Sequence, residues 1–158
     1  MSSGVKIDNQ CIEAFNHLKM LKKTAFVLYG FTAGFDRIVV THEEPRETCP
    51  INDQNDHWHK LIGMLEEDKV CYAVTILHYE ADKRPQSDLI FISWAPGKAS
   101  IKQKMLAASS MAAIKPALVG IRASIQANSK SDLELDVVLM DKFKGTIITE
   151  GKRGDSED

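Results

Sequence analysis

Three groups of residues in this chain have types and spacings that could do chemistry. His57-Trp58-His59 offers two imidazoles, the ligands of a divalent metal. Glu43-Glu44 and Glu66-Glu67-Asp68 offer neighbouring carboxylates, which acid–base catalysis needs. Cys11, Cys49 and Cys71 offer thiols. None of these sets closes into a constellation. Residues 56–65 have the apolar spacing of a helix, and there the two histidines point about 200° apart, away from any shared ion. The carboxylates read as solvated charges of a loop and a helix end. Three widely spaced cysteines make neither a disulfide framework nor a zinc pattern, so they read as reduced cytosolic thiols, with Cys71 in a strand core. Trp94 before Ala95-Pro96 reads as a core aromatic rather than a stacking platform. No GxSxG, HExxH, P-loop or Gly-rich phosphate turn occurs. The expectation is a binding protein and not an enzyme, with no cofactor and no metal.

What remains is positive charge. Leu89–Ser131 contains no acid and carries Lys98, Lys102, Lys104, Lys115, Arg122 and Lys130. That is +6 in a chain of formal net charge −2, so the rest carries −8. The split concentrates a positive field on one element and invites an acidic partner. A net charge of −2 argues against nucleic acid as that partner.

The spacing predicts a helix from Lys98 to Lys115, with residues 100° apart around its axis. One arc gathers Leu106, Ala107, Ser110, Ala113, Ile114 and Gln103, a core face. The opposite arc gathers Lys98, Lys102, Lys104 and Lys115 around Ile101, Met105, Ala108, Ser109 and Ala112. A solvated face ordinarily mixes charge signs and forms i,i+4 Glu–Lys pairs, and this one has no acid. Two readings stand: lysines snorkelling over neighbouring apolar surface, or a docking face of small residues and an adaptable methionine ringed by lysines.

The elements that position this helix follow from pattern. Asp8 caps a first helix with Ile12, Phe15, Leu18 and Leu21 as its apolar stripe. Thr24–Phe31 and Ile38–Thr41 form a hairpin, and Glu43–Asn55, with Pro45 and Pro50, forms a loop. Asp56–Leu65 is a short amphipathic helix, Val70–Tyr79 a strand, Ala81–Ser87 a charged turn, and Leu89–Trp94 a strand covered on both faces. Leu118–Ala127 alternates as a strand. Ser131 and Asp132 cap a last helix to Phe143, and Thr146–Thr149 is a short strand. The expected architecture is one α/β (α+β) domain over residues 1–150, a mixed sheet between helices, with residues 151–158 as a disordered charged tail. No run approaches the roughly 18 apolar residues of a membrane helix, and the first residues lack the apolar core of a secretory signal.

The segments DLIFISWAP, ASIKQKMLAASSMAAIK and LVGIRASIQAN, with Ser3-Gly4-Val5 at the start and Cys71-Tyr72-Ala73 in a strand, closely resemble the actin-depolymerising factor (ADF)/cofilin family across residues 3–148. The resemblance implies the ADF-homology fold and a monomeric, non-enzymatic regulator that binds actin monomers, ADP-actin preferred, and promotes filament depolymerisation and severing. It implies a cytoplasmic, cytoskeletal protein small enough to diffuse into the nucleus. The family's Lys-x-Lys-Met falls on Lys102, Lys104 and Met105, so the implied monomer-binding set is Ser3, Gly4, Val5, Lys98, Ile101, Lys102, Lys104, Met105 and Ser109. Ser3, with Ser2 as its neighbour, matches the family's phosphorylation switch, where an added phosphate repels an acidic partner. The implied filament contacts are Lys83 and Arg84 in the turn, and Met140, Asp141 and Lys144 in the last helix. There the family's Glu-Arg pair has become Met140-Asp141, a departure in charge. Phosphoinositide lipids are an alternative partner for the same basic helix, and a non-actin protein partner a third.

Overall fold

In the computed structural model, residues 4–52, 55–139 and 146–147 are described. The order is β1 (Lys6–Ile7), α1 (Asn9–Lys19), β2 (Thr24–Phe31), β3 (Arg37–Pro45), α2 (Asp56–Met64), β4 (Cys71–Ala81), β5 (Arg84–Trp94), α3 (Ile101–Ile114), β6 (Ala123–Ala127), α4 (Leu135–Val138) and β7 (Thr146–Ile147). One mixed sheet runs β1-β3-β2-β4-β5-β6, with β7 also on β4. β1 is parallel to β3 and β6 to β5, and the other pairs are antiparallel.

Side chains alternate across a strand, and this alternation sorts the core into two layers. Tyr72 and Val74 of β4 and Phe91 of β5 face α1 and α3, packing with Cys11, Phe15, Leu18, Ala107 and Ile114. Ala73 and Leu77 of β4 and Ile90, Ile92 and Trp94 of β5 face α2 and α4, packing with Trp58, Leu61, Leu135 and Val138. Each such large buried side chain stabilises the fold by roughly 1.5–3 kcal/mol relative to exposure. α1 and α3 therefore lie side by side on one face.

Several elements differ from the sequence expectation. Asp8 makes no side-chain cap bond and sits 3.7 Å from Arg37 instead. The buried stripe of α1 is Cys11, Ala14, Phe15 and Leu18, while Ile12 and Leu21 are exposed; the i, i+3, i+4, i+7 spacing keeps to one face, where strict every-third spacing drifts around the helix. β3 runs through Glu43-Glu44-Pro45, because sheet pairing satisfies its backbone and its carboxylates find partners. The expected turn over residues 81–87 shrinks to Asp82 and Lys83, both left-handed (φ 53° and 63°), and Arg84–Ser87 join β5. That two-residue hairpin with positive φ matches strand twist, which polar composition alone does not reveal. β6 begins at Ala123, after a loop where Gly120 has φ +105°. The last helix breaks at Glu134, and its first turn is capped by Ser129 with Asp132, not by Ser131. Residues 140–145 and the tail at 151–158 lie outside the described residues, as does all of the expected last strand beyond Ile147.

Candidate functional site

α3 begins where Ser100, in extended conformation, accepts a hydrogen bond from the Gln103 N–H at 3.1 Å. Lys98 therefore stands on the turn before the helix and not on it, and Lys115 opens a short 3₁₀ turn after it. Ala107, Ser110 and Ile114 are buried, and the small volumes of Ala107 and Ser110 bring the helix close to the sheet. The Tyr72 phenol reaches up from β4, donates to the Ala107 carbonyl and bonds the Ser110 hydroxyl. Burial pushes that phenol's pKa up, so it stays a donor. Tyr72 is the positioning residue that spacing arguments missed; the paired small residues above it were the available signal.

The opposite face is open. Ile101 is 76% and Met105 67% exposed, among the most exposed large apolar side chains of the described residues. Lys102, Ala108, Ser109 and Ala112 are exposed around them. Lys104 is half-buried and donates to the Gly97 carbonyl at 3.1 Å, and Ser109 donates to Leu106 O at 3.2 Å within the helix. No acid occupies the first turn of α3. The N-terminus of a helix already carries about half a positive charge, so Lys98, Lys102 and Lys104 add to the dipole where acids would relieve it. The result is an apolar ridge inside a positive field.

The N-terminal segment lies beside this ridge, with β1 packed against α3. Gly4 is exposed with φ +81°, while Val5 is only 8% exposed and shares the cluster of Ala107 and Ile114. Val5 thus anchors the segment rather than presenting itself. Ser2 and Ser3 lie outside the described residues. Lys83 and Arg84 are exposed at the β4–β5 tip. β5 runs from Arg84 to Trp94, so roughly 30 Å of strand separates that tip from the turn bearing Lys98. Met140, Asp141 and Lys144 lie outside the described residues, and β7 brings the segment after them to Tyr79 and Glu80.

The chemistry-bearing groups elsewhere are tied up. His57 is buried with Nε2 2.5 Å from Ile76 O, whereas His59 is exposed. Burial pushes the pKa of His57 down to about 4, against the opposing pull of the Ile76 carbonyl. Burial would raise the Glu44 carboxyl, but hydrogen bonds from Lys60, His42 and Thr48 outweigh it and hold it down at about 2. Cys71 lines a hollow of about 320 Å³ between the β2–β3 hairpin, the end of α2 and Gln103, and burial pushes its thiol up to about 12. No group of three metal-ligating side chains comes together, and no helix is long and apolar enough to cross a membrane, among the described residues.

Residues 4–142 match a family model described as cofilin/tropomyosin-type actin-binding protein. A cofilin of Mycosarcoma maydis is 34% identical over 140 residues, covering 88% of this chain and 94% of that one. An actophorin of Acanthamoeba castellanii is 29% identical over 136 residues, covering 86% and 93%. The crystal structure of Streptomyces griseoflavus cofilin superposes with a TM-score of 0.75 at 32% identity, covering 90% of this chain and 99% of that one.

Proposed function

This chain belongs to the cofilin/ADF family of actin-binding proteins, and from that membership we propose which surface binds and what the binding does. It is an actin-binding depolymerising protein of the cytoskeleton. The α3 ridge, Ile101 and Met105 framed by Lys98, Lys102 and Lys104, docks in an apolar cleft of an actin monomer with acidic walls. The N-terminal segment flanks the contact, and a phosphate on Ser3 or Ser2 opposes it. ADP-actin is preferred, severing follows from filament contact through Lys83, Arg84 and the last helix, and the chain acts in the cytoplasm without catalysing a reaction. One observation carries the reading: two large apolar side chains stand exposed on a helix whose N-terminal lysines oppose its own dipole, although Lys104 also bonds the Gly97 carbonyl.

The test is high-speed co-sedimentation with preassembled filaments, with Lys102→Ala/Lys104→Ala as control. Actin moving to the supernatant while the control leaves it in the pellet supports monomer binding through α3. Co-pelleting of the protein shows that Met140-Asp141 is tolerated in a filament contact. Unchanged actin for both proteins overturns the reading. A lipid reading rests on the same lysines, and Met105→Ala separates the two. Methionine packing matters in a protein cleft and little on a phosphoinositide surface.

A further inference from the structure

The β4–β5 hairpin outruns the sheet that carries it. β2 pairs with β4 from Tyr72 to Thr75, and β6 pairs with β5 only from Ile90 onward. Beyond those limits, residues 76–81 and 84–89 form a two-stranded ribbon about 20 Å long, with Lys83 and Arg84 at its tip. Asp82 and Lys83, both left-handed, close a tight turn, so the tip follows wherever the ribbon points. A two-stranded ribbon alone is marginal in water. Leu77 and Tyr79 pack one of its faces into the layer of α2 and α4. Such burial is non-directional, so the ribbon's lateral position depends on directional bonds at its base.

Those bonds come from the start of α2. Past Thr75 the edge of β4 away from β5 presents the backbone groups of Ile76, His78 and Glu80. His57 Nε2 donates to the Ile76 carbonyl at 2.5 Å. The Asn55 amide spans His78: Nδ2 donates to its carbonyl at 2.9 Å, and Oδ1 accepts from its N–H at 3.0 Å. β7 pairs with Glu80. One side chain thus makes both bonds that a residue of a neighbouring strand would make. Asn55 gives up its local role to do so. It stands at the N-cap of α2, where asparagine ordinarily bonds the helix's own N–H groups, and makes no such bond. Its backbone is left-handed, with φ 59° and ψ 39°, and it is fully buried. Asn52 Oδ1 accepts from the Asp56 N–H at 3.3 Å instead.

We propose that Asn55 is a positioning residue for filament contact. Its amide, with the His57 imidazole, fixes the ribbon against the start of α2 and so aims Lys83 and Arg84. The aim matters only under the filament reading proposed above, whereas the clamp itself does not depend on it.

Asn55→Gly keeps the left-handed backbone and removes the amide. In the free protein, amide hydrogen exchange at His78 is expected to rise several-fold, with Ala73 and Val74 unchanged. Co-sedimentation with filaments should weaken several-fold, as in Lys83→Ala/Arg84→Ala, while calorimetric titration with ADP-actin monomers stays at the parent's value. Asn55→Asp is the second variant. A neutral carboxyl reproduces both bonds to His78, and an ionised one loses the donor, while burial raises its pKa. Its filament binding should therefore fall, relative to the parent, as pH rises. His78 exchange unchanged in Asn55→Gly, equal loss of monomer and filament binding, or a pH profile of Asn55→Asp parallel to the parent's overturns the proposal. Normal filament binding by Asn55→Gly beside weakened binding by the tip variant overturns the positioning role alone. Normal binding by the tip variant overturns the filament reading, and the positioning role with it.

Discussion

The two ends of the α1–α3 face look alike in composition and differ in cost. At the C-terminal end of α1, Lys19, Lys22 and Lys23 surround exposed Met20 and Leu21; at the N-terminal end of α3, Lys98, Lys102 and Lys104 surround exposed Ile101 and Met105. At a helix C-terminus cations complement the dipole, and Lys19 and Arg46 bond carbonyls there. At a helix N-terminus the same cations oppose it, and Lys102 bonds nothing structural among the described residues. Equal charge thus stabilises one site and strains the other. Lysines that work against the fold point to a partner outside it.

That contrast can be broken in order of expected effect. Lys102→Ala with Lys104→Ala is expected to weaken actin-monomer binding by about 3 kcal/mol, on the order of 100-fold, by calorimetric titration. Its melting temperature stays level or rises. A comparable loss of actin binding from Lys22→Ala/Lys23→Ala would erase the contrast. Acid sensitivity belongs to neither end and serves as an internal control. His57 stays neutral in the fold down to about pH 4 and is protonated in the unfolded chain below about 6.5. The unfolded state therefore binds the extra proton between those values, and stability falls by up to about 3 kcal/mol as pH drops through that window. Urea denaturation at pH 7 and pH 4.5 should show that fall in both lysine variants and lose most of it in His57→Gln. Met105→Ala is expected to cost about 2 kcal/mol of actin affinity with no change in vesicle binding. Smallest is Lys22→Ala/Lys23→Ala on stability, a loss of about 0.5 kcal/mol that salt reduces.

The candidate helix was legible because its pattern is unusual at every level: no acid for 43 residues, a small-residue core face, and lysines around Ile101 and Met105. The buried Ala107, Ser110 and Ile114 and the exposed Ile101 and Met105 fall on the faces that 100° spacing assigns. Ends were less legible. Lys98 falls outside α3 because Ser100, and not Pro96 or Gly97, supplies the cap. Arg84–Ser87 read as turn, yet they pair with β4, since hairpin register and not side-chain polarity sets where the strand starts. Val5 could not be read as a support of the site, because it acts by burial against α3, and Tyr72 reaches α3 from a distant strand, signalled only by the small residues above it. Such contacts between distant segments leave no periodicity in the chain.

The central claim is that α3's open ridge is the contact surface, and amide resonance mapping tests it most directly. Monomeric ADP-actin would be added to isotope-labelled protein, with signal loss followed residue by residue. The account predicts loss centred on Ile101, Lys102, Met105 and Ser109 and on Gly4, with Leu21–Lys23 and Val119 unaffected. Loss centred on Leu21–Lys23 and Val119, with residues 101–109 unchanged, would contradict it.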